Sequence, residues 1–110
     1  MQLPNADLAI VDPGKLRDYC INKDHPRGKH KARVFESVLG ITAEDTYNLI
    51  IQIKERTQEA ACEAQEGDAY GQRYTVDIEI ENFASKAVVR TAWIIRRGEM
   101  QPRLTTCYVK

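Results

Sequence analysis

The residues best equipped for chemistry in this chain are cations interspersed with proton donors. The N-terminal half supplies His25, Arg27, Lys29, His30, Lys31 and Arg33, and the C-terminal part supplies Arg90, Arg103, Thr105, Thr106 and Tyr108. Such a set suits metal-independent cleavage of RNA. In that reaction a base removes the 2′-OH proton, cations stabilise the charge building on the phosphorane, and an acid protonates the leaving 5′-oxygen. Histidine is the natural proton carrier near neutral pH, so His30 takes that role, with His25 as its substitute. Arginine offers forked donors that match phosphate oxygens, whereas Lys29 and Lys31 act as point charges. The reading therefore makes His30, Arg90, Tyr108 and Thr106 catalytic. It gives substrate binding to Arg27, Lys29, Lys31, Arg33, Arg103 and Thr105. Tyr70, Tyr74 or Trp93 would stack a base if one of them lay on the open face.

Other chemistries find little footing. There is no Gly-rich phosphate loop and no nucleophile elbow. His25 and His30 are the only histidines, and Asp24 and Glu36 beside them make no recognised ligand spacing, so no metal and no cofactor is expected. Cysteines at 20, 62 and 107 are odd in number and widely spaced, which predicts buried free thiols rather than disulfides or zinc. Cys107 has no evident base beside it and is not expected to act as a nucleophile. Each candidate also has an ordinary reading. His25 is a loop residue before proline, His30 an exposed helix histidine, and residues 27–33 a solvated helix end. Thr105 and Thr106 are good strand formers, and Tyr108 and Trp93 fit a core. Lys86, Arg73, Arg96 and Arg97 read as strand-end surface.

The elements that must position these groups are written in the periodicity. Asp12-Pro13 is an N-cap followed by proline at the first helical position, and predicts a short helix to about Ile21 with Leu16, Tyr19 and Cys20 on one stripe. Pro26 and Gly28 break the chain into an exposed basic loop. A second helix is expected over 29–39, with Lys31, Val34, Phe35 and Val38 on one side, ending at Gly40. Its basic groups cluster at the N-terminal end, where they oppose the helix dipole by a few tenths of a kcal/mol each, so a functional reason is sought for them. Thr42 with Glu44 and Asp45 opens a third helix, expected to reach Gln65, with Leu49, Ile50, Ile53, Thr57, Ala60, Ala61 and Ala64 buried. Tyr74, Val76, Ile78 and Ile80 then alternate with Thr75, Asp77 and Glu79 as a half-buried strand. Residues 87–96 predict an inner strand and 103–109 a third. Short links make them an antiparallel meander. The fold expected is α+β: three N-terminal helices packed on a C-terminal antiparallel sheet of three or more strands.

A chain of 110 residues, 43% hydrophobic and 29% charged, is one domain over its full length. Sixteen basic and sixteen acidic side chains cancel, so no global field recruits nucleic acid or an anionic membrane. The distribution is uneven: residues 15–35 hold seven bases against two acids, 36–71 two against eight, and 72–110 seven against four. No apolar run is long enough for a membrane span, and residues 1–11 lack the basic and apolar pattern of a leader, so a soluble cytoplasmic protein is expected. The zero net charge also suits a second function class, a non-catalytic protein-interaction module such as an immunity or adaptor protein.

Through the segments NKDHPRGKHKARVFESVLGIT, YGQRYTVDIEI and VVRTAWIIRRGEMQPRLTTCYV, the chain resembles a family of small uncharacterised bacterial domains over nearly its full length. That family is in turn similar to the toxin ribonucleases of the barnase, EndoU, colicin and RelE-like fold. The resemblance implies N-terminal helices followed by an antiparallel sheet, with active residues drawn from a Lys/His-bearing helix and from the strands. Lys29, His30 and Lys31 match the first element, and Arg90, Thr105 or Thr106, and Tyr108 match the second. It further implies RNA as substrate and a small neutralising antitoxin or immunity protein as partner, covering the positive cleft. The strand half has no histidine, so the general acid is left unassigned. The whole reading requires the early and late cations to meet in one concavity around an imidazole.

Overall fold

The computed structural model describes all residues 1–110 and is α+β, with short helices preceding a four-stranded antiparallel sheet. Helix α1 opens at Pro13–Lys15, where the Asp12 carboxylate accepts from Gly14 N at 2.9 Å, and continues as a π-helical turn over Leu16–Cys20. Helix α2 spans Lys29–Leu39 and stops at Gly40, whose φ of 66° lies in the left-handed region that glycine adopts without strain. A 3-10 turn, Ala43–Asp45, leads into α3, Thr46–Thr57, and Asp45 Oδ2 accepts from Thr42 N at 2.9 Å to close the capping box. The strands β1 (Cys62–Asp68), β2 (Gly71–Asn82), β3 (Ser85–Arg96) and β4 (Arg103–Val109) follow as a meander in chain order.

One face of the sheet carries the core. Val76, Ile78 and Ile80 of β2, Val89 and Trp93 of β3, and Leu104 and Cys107 of β4 pack with Leu16, Cys20, Phe35, Leu39, Leu49 and Ile53 from the helices. Residues 1–11 close one end of this core. Gln2 bridges to Ala61 beside β1, Ile10 bridges to Arg103 of β4, and Leu3, Ala6, Ala9 and Val11 are buried between them. All three cysteines are buried free thiols, and Trp93 is core, its Nε1 donating to Thr91 Oγ1 at 2.8 Å.

Two expectations need correction. The third helix does not reach Gln65; it ends at Thr57, and residues 62–68 form β1, so the sheet has four strands. Ala60, Ala61 and Ala64 favour a helix locally but bury little surface, and the backbone ladder to β2, with Cys62 tucked against the core, outweighs that preference. The buried stripe of α2 is also rotated: Ala32, Phe35 and Leu39 face the core, while Val34 and Val38 are each 42% exposed. That rotation turns Val34 toward the edge of the sheet.

Candidate functional site

Strand β4 is an edge strand, and α2 lies alongside it. Between them runs a groove of about 240 Å3 lined by His30, Lys31 and Val34 of α2 and by Tyr108 and Val109 of β4. The Lys31 ammonium anchors one wall. It lies 5.4 Å from the Tyr108 ring centroid and 5.5 Å from that of Tyr19, and it donates to Thr106 Oγ1 at 3.4 Å. The local fold explains why Thr106 is there. The register slips between Ala92–Thr106 and Trp93–Leu104, leaving Thr105 as an extra residue in β4 whose hydroxyl donates to the Ala92 carbonyl at 3.1 Å. Such a bulge re-aims the side chains after it.

The N-terminal end of α2 is set by the loop before it. His25 Nδ1 accepts from both Arg27 N and Gly28 N at 3.0 Å, and its ring rests against Tyr19 with centroids 4.8 Å apart. His25 thus shapes the approach to Lys29, His30 and Lys31, a role that fully occupies its unprotonated nitrogen. Lys23 ties the same loop to Glu36 at 2.8 Å.

Arg90 stands one row away from the groove. The register places Asp77, Arg90 and Tyr108 side by side across β2, β3 and β4. Arg90 donates through Nε and Nη2 to the two Asp77 oxygens at 2.8 and 3.0 Å, and Lys110 Nζ donates to the same carboxylate at 2.9 Å. Arg90 is also the cross-strand neighbour of Tyr108. It lines a separate hollow of about 270 Å3 on the outer sheet face, with Ala61, Glu63, Thr75 and Asp77. His30 and Arg90 therefore line different hollows, which corrects the expectation that the early and late cations meet in one concavity around the imidazole. The β2–β3 register commits Arg90 to Asp77, and of that row only Tyr108, its neighbour on β4, lines the His30 groove.

Of the residues singled out from the sequence, His30, Lys31, Thr106 and Tyr108 come together and Arg90 adjoins them. Arg27 and Arg33 are exposed and Lys29 half-buried, and none of the three lines the groove. Arg103 is held by Glu99 in a two-pronged ion pair at 3.2 and 3.0 Å, at the other end of β4. Thr105 has its hydroxyl on the backbone. Tyr70 is 72% exposed, away from the groove, and Trp93 is buried, so neither offers a face there. Three contributors were not singled out: Asp77, Cys20 and Tyr19. The strand alternation puts Asp77 on the wet face, but only the β2–β3 register puts it opposite Arg90.

Two charge effects define the electrostatics. The Arg90 guanidinium, aided by Lys110 and opposed by partial burial, holds the Asp77 carboxyl down at about 2. A carboxylate depressed in the folded state contributes stability fully above its unfolded pKa of about 4 and loses it as pH falls through the folded value. Native protein should therefore lose thermal stability between about pH 4 and 2, and Asp77→Asn should flatten that part of the profile when unfolding temperature is measured against pH. The second effect lies beneath Lys31. Cys20 is pulled down to about 6, first by hydrogen bonding from the Cys107 side chain, against the opposing effect of burial, then by the Cys107 backbone, Thr106 and the Lys31 charge. The Cys107 thiol is pushed well up by the Cys20 sulfur and by burial in the core.

No group of three or more His, Cys, Asp or Glu side chains is arranged to hold a metal ion. No helix is long and apolar enough to cross a membrane. Residues 2–110 match the family described as a domain of unknown function, DUF6883, and the chain belongs to it. No curated protein and no solved structure matches the chain significantly.

Proposed function

We propose that this member of the DUF6883 family is a metal-independent endoribonuclease that acts as a bacterial toxin. The observation that carries the reading is the α2–β4 groove, where an imidazole and an ammonium meet a phenol and a hydroxyl contributed by chain 75 residues away. His30 takes the 2′-OH proton as that oxygen attacks the adjacent phosphorus. Lys31 stabilises the charge on the phosphorane oxygens, while Arg90, held by Asp77 in the neighbouring hollow, takes no part in this step. The bond to the 5′-oxygen breaks, and that oxygen receives a proton from the groove's own donors, the imidazolium or the Tyr108 hydroxyl. The products are a 2′,3′-cyclic phosphate and a 5′-hydroxyl. The apolar wall of Val34, Val109 and the Tyr108 ring suits a base beside the scissile phosphate.

A small neutralising protein that covers the groove would be the partner in this reading. The non-catalytic alternative, an interaction module, draws on one observation: Arg90 is already balanced by Asp77, which also holds Lys110. Incubation of purified protein with RNA in EDTA separates the two. Cleavage that persists in chelator and leaves cyclic phosphate ends is expected. Cleavage abolished by chelation rejects the mechanism, and intact RNA together with harmless accumulation in growing bacteria supports the module.

A further inference from the structure

Cys20 has no part in RNA cleavage as proposed, yet its sulfur terminates a chain of polar contacts that begins in the groove. It ends the π-helical turn of α1 and is fully buried, with Sγ 3.8 Å from Thr106 Oγ1. That same hydroxyl oxygen is 3.4 Å from Lys31 Nζ. An ammonium has three donors and no acceptor, so Lys31 donates to Thr106, and the hydroxyl proton is free to point at Cys20. In that arrangement the chain runs from Lys31 through Thr106 to the sulfur as its accepting end. Cys107, the residue after Thr106, is buried in the same core cluster. The titratable groups around this chain are Lys31 from α2, Cys107 and Tyr108 from β4, and Tyr19 from α1 itself. A cysteine serving only as a small core hydrophobe would need none of these polar neighbours.

We propose that Cys20 is a positioning residue whose sulfur, acting through the Thr106 hydroxyl, holds the Lys31 ammonium in a single orientation on the groove wall. Tyr19 and Tyr108 flank the ammonium, so its remaining protons are directed at what enters the groove. That Lys31 then meets a phosphate rests on the ribonuclease reading; the Lys31–Thr106–Cys20 chain does not. Held in this network, the sulfur is the accepting end, and the half-buried lysine stands where it would offset negative charge developing there.

The test has two arms. In the first, thiolate ultraviolet absorbance is followed against pH in the full chain. One thiol should ionise near pH 6, the step should vanish in Cys20→Ser and persist in Cys62→Ser, and Lys31→Met and Thr106→Val should each move it upward. No low step, or one that Lys31→Met leaves in place, overturns the proposal. These two substitutions lie at half-buried positions and keep the test alive if changes at Cys20 impair folding. In the second arm, Cys20→Ala should lower kcat for RNA cleavage roughly tenfold or more at nearly constant KM and displace its pH profile, with Cys20→Ser recovering part of the loss. An unmoved profile overturns the positioning role. A thiolate step that behaves as expected in a protein without RNA cleavage overturns the ribonuclease reading and leaves the network standing.

Discussion

His30→Ala is expected to slow RNA cleavage by roughly a hundredfold or more, the usual contribution of a positioned general acid or base. The native fold should persist. His30 is an exposed side chain on α2, its ring lies over the groove rather than in the core, and alanine is the stronger helix former. Unfolding free energy should therefore stay within about 0.5 kcal/mol of native. The separation of effects is what makes the substitution informative: initial rates fall, while the thermal transition and the circular dichroism spectrum do not move. In growing bacteria, the same change should relieve the arrest that the unmodified chain causes on expression. Undiminished cleavage would remove His30 from the mechanism and shift proton transfer to the Lys31–Tyr108 side of the groove. Lys31→Met offers the matching comparison, since it removes charge at the phosphate without removing a proton carrier. Loss there with a retained pH profile would assign Lys31 to electrostatic stabilisation.

The parts of this site differ in how readily the sequence discloses them, and the difference follows the range of the interactions. Helix α2 is bounded by Gly28 and Gly40, signals that act within one turn, and its ends fall where those residues predict. The period-two pattern of β2 is equally local, because each of Val76, Ile78 and Ile80 meets the core on its own account. Residues 62–68 mislead because alanines and glutamates favour a helix in isolation, whereas what makes them a strand is the ladder offered by β2. The same reasoning separates the members of the site. His30 and Lys31 stand out as chemistry at a helix end where positive charge is unfavourable. Cys20 lies on the stripe with Leu16 and Tyr19 that marks a core helix, and it is core; its contact with Thr106 spans 86 residues and follows from the fold alone. Arg90 is legible as a cation, but its neutralisation by Asp77 depends on a strand register that composition does not carry.

Gly28→Ala should destabilise the domain by about 2–3 kcal/mol, lowering the unfolding temperature by roughly 10 °C or more. The reason is not backbone freedom, since Gly28 has a φ of −86° that any residue adopts. A Cβ at this position would instead overlap the Tyr19 carbonyl oxygen, a backbone atom of α1 that cannot swing aside. Relief requires α1 and the start of α2 to separate. Such a shift disturbs the pair of bonds from Arg27 N and Gly28 N to His25, and it moves the Tyr19 ring on which both His25 and Lys31 rest. Activity should thus decline at temperatures well below the unfolding transition, a coupling that a remote core defect would not produce. Gly98→Ala is the control: its φ of 78° strains an alanine by about 1–2 kcal/mol, but the added carbon meets no atom within 4 Å. If Gly28→Ala proves no worse than this control in stability, and leaves RNA cleavage intact, then the close seating of the His25 loop on α1 is not what holds Lys31 over Tyr108.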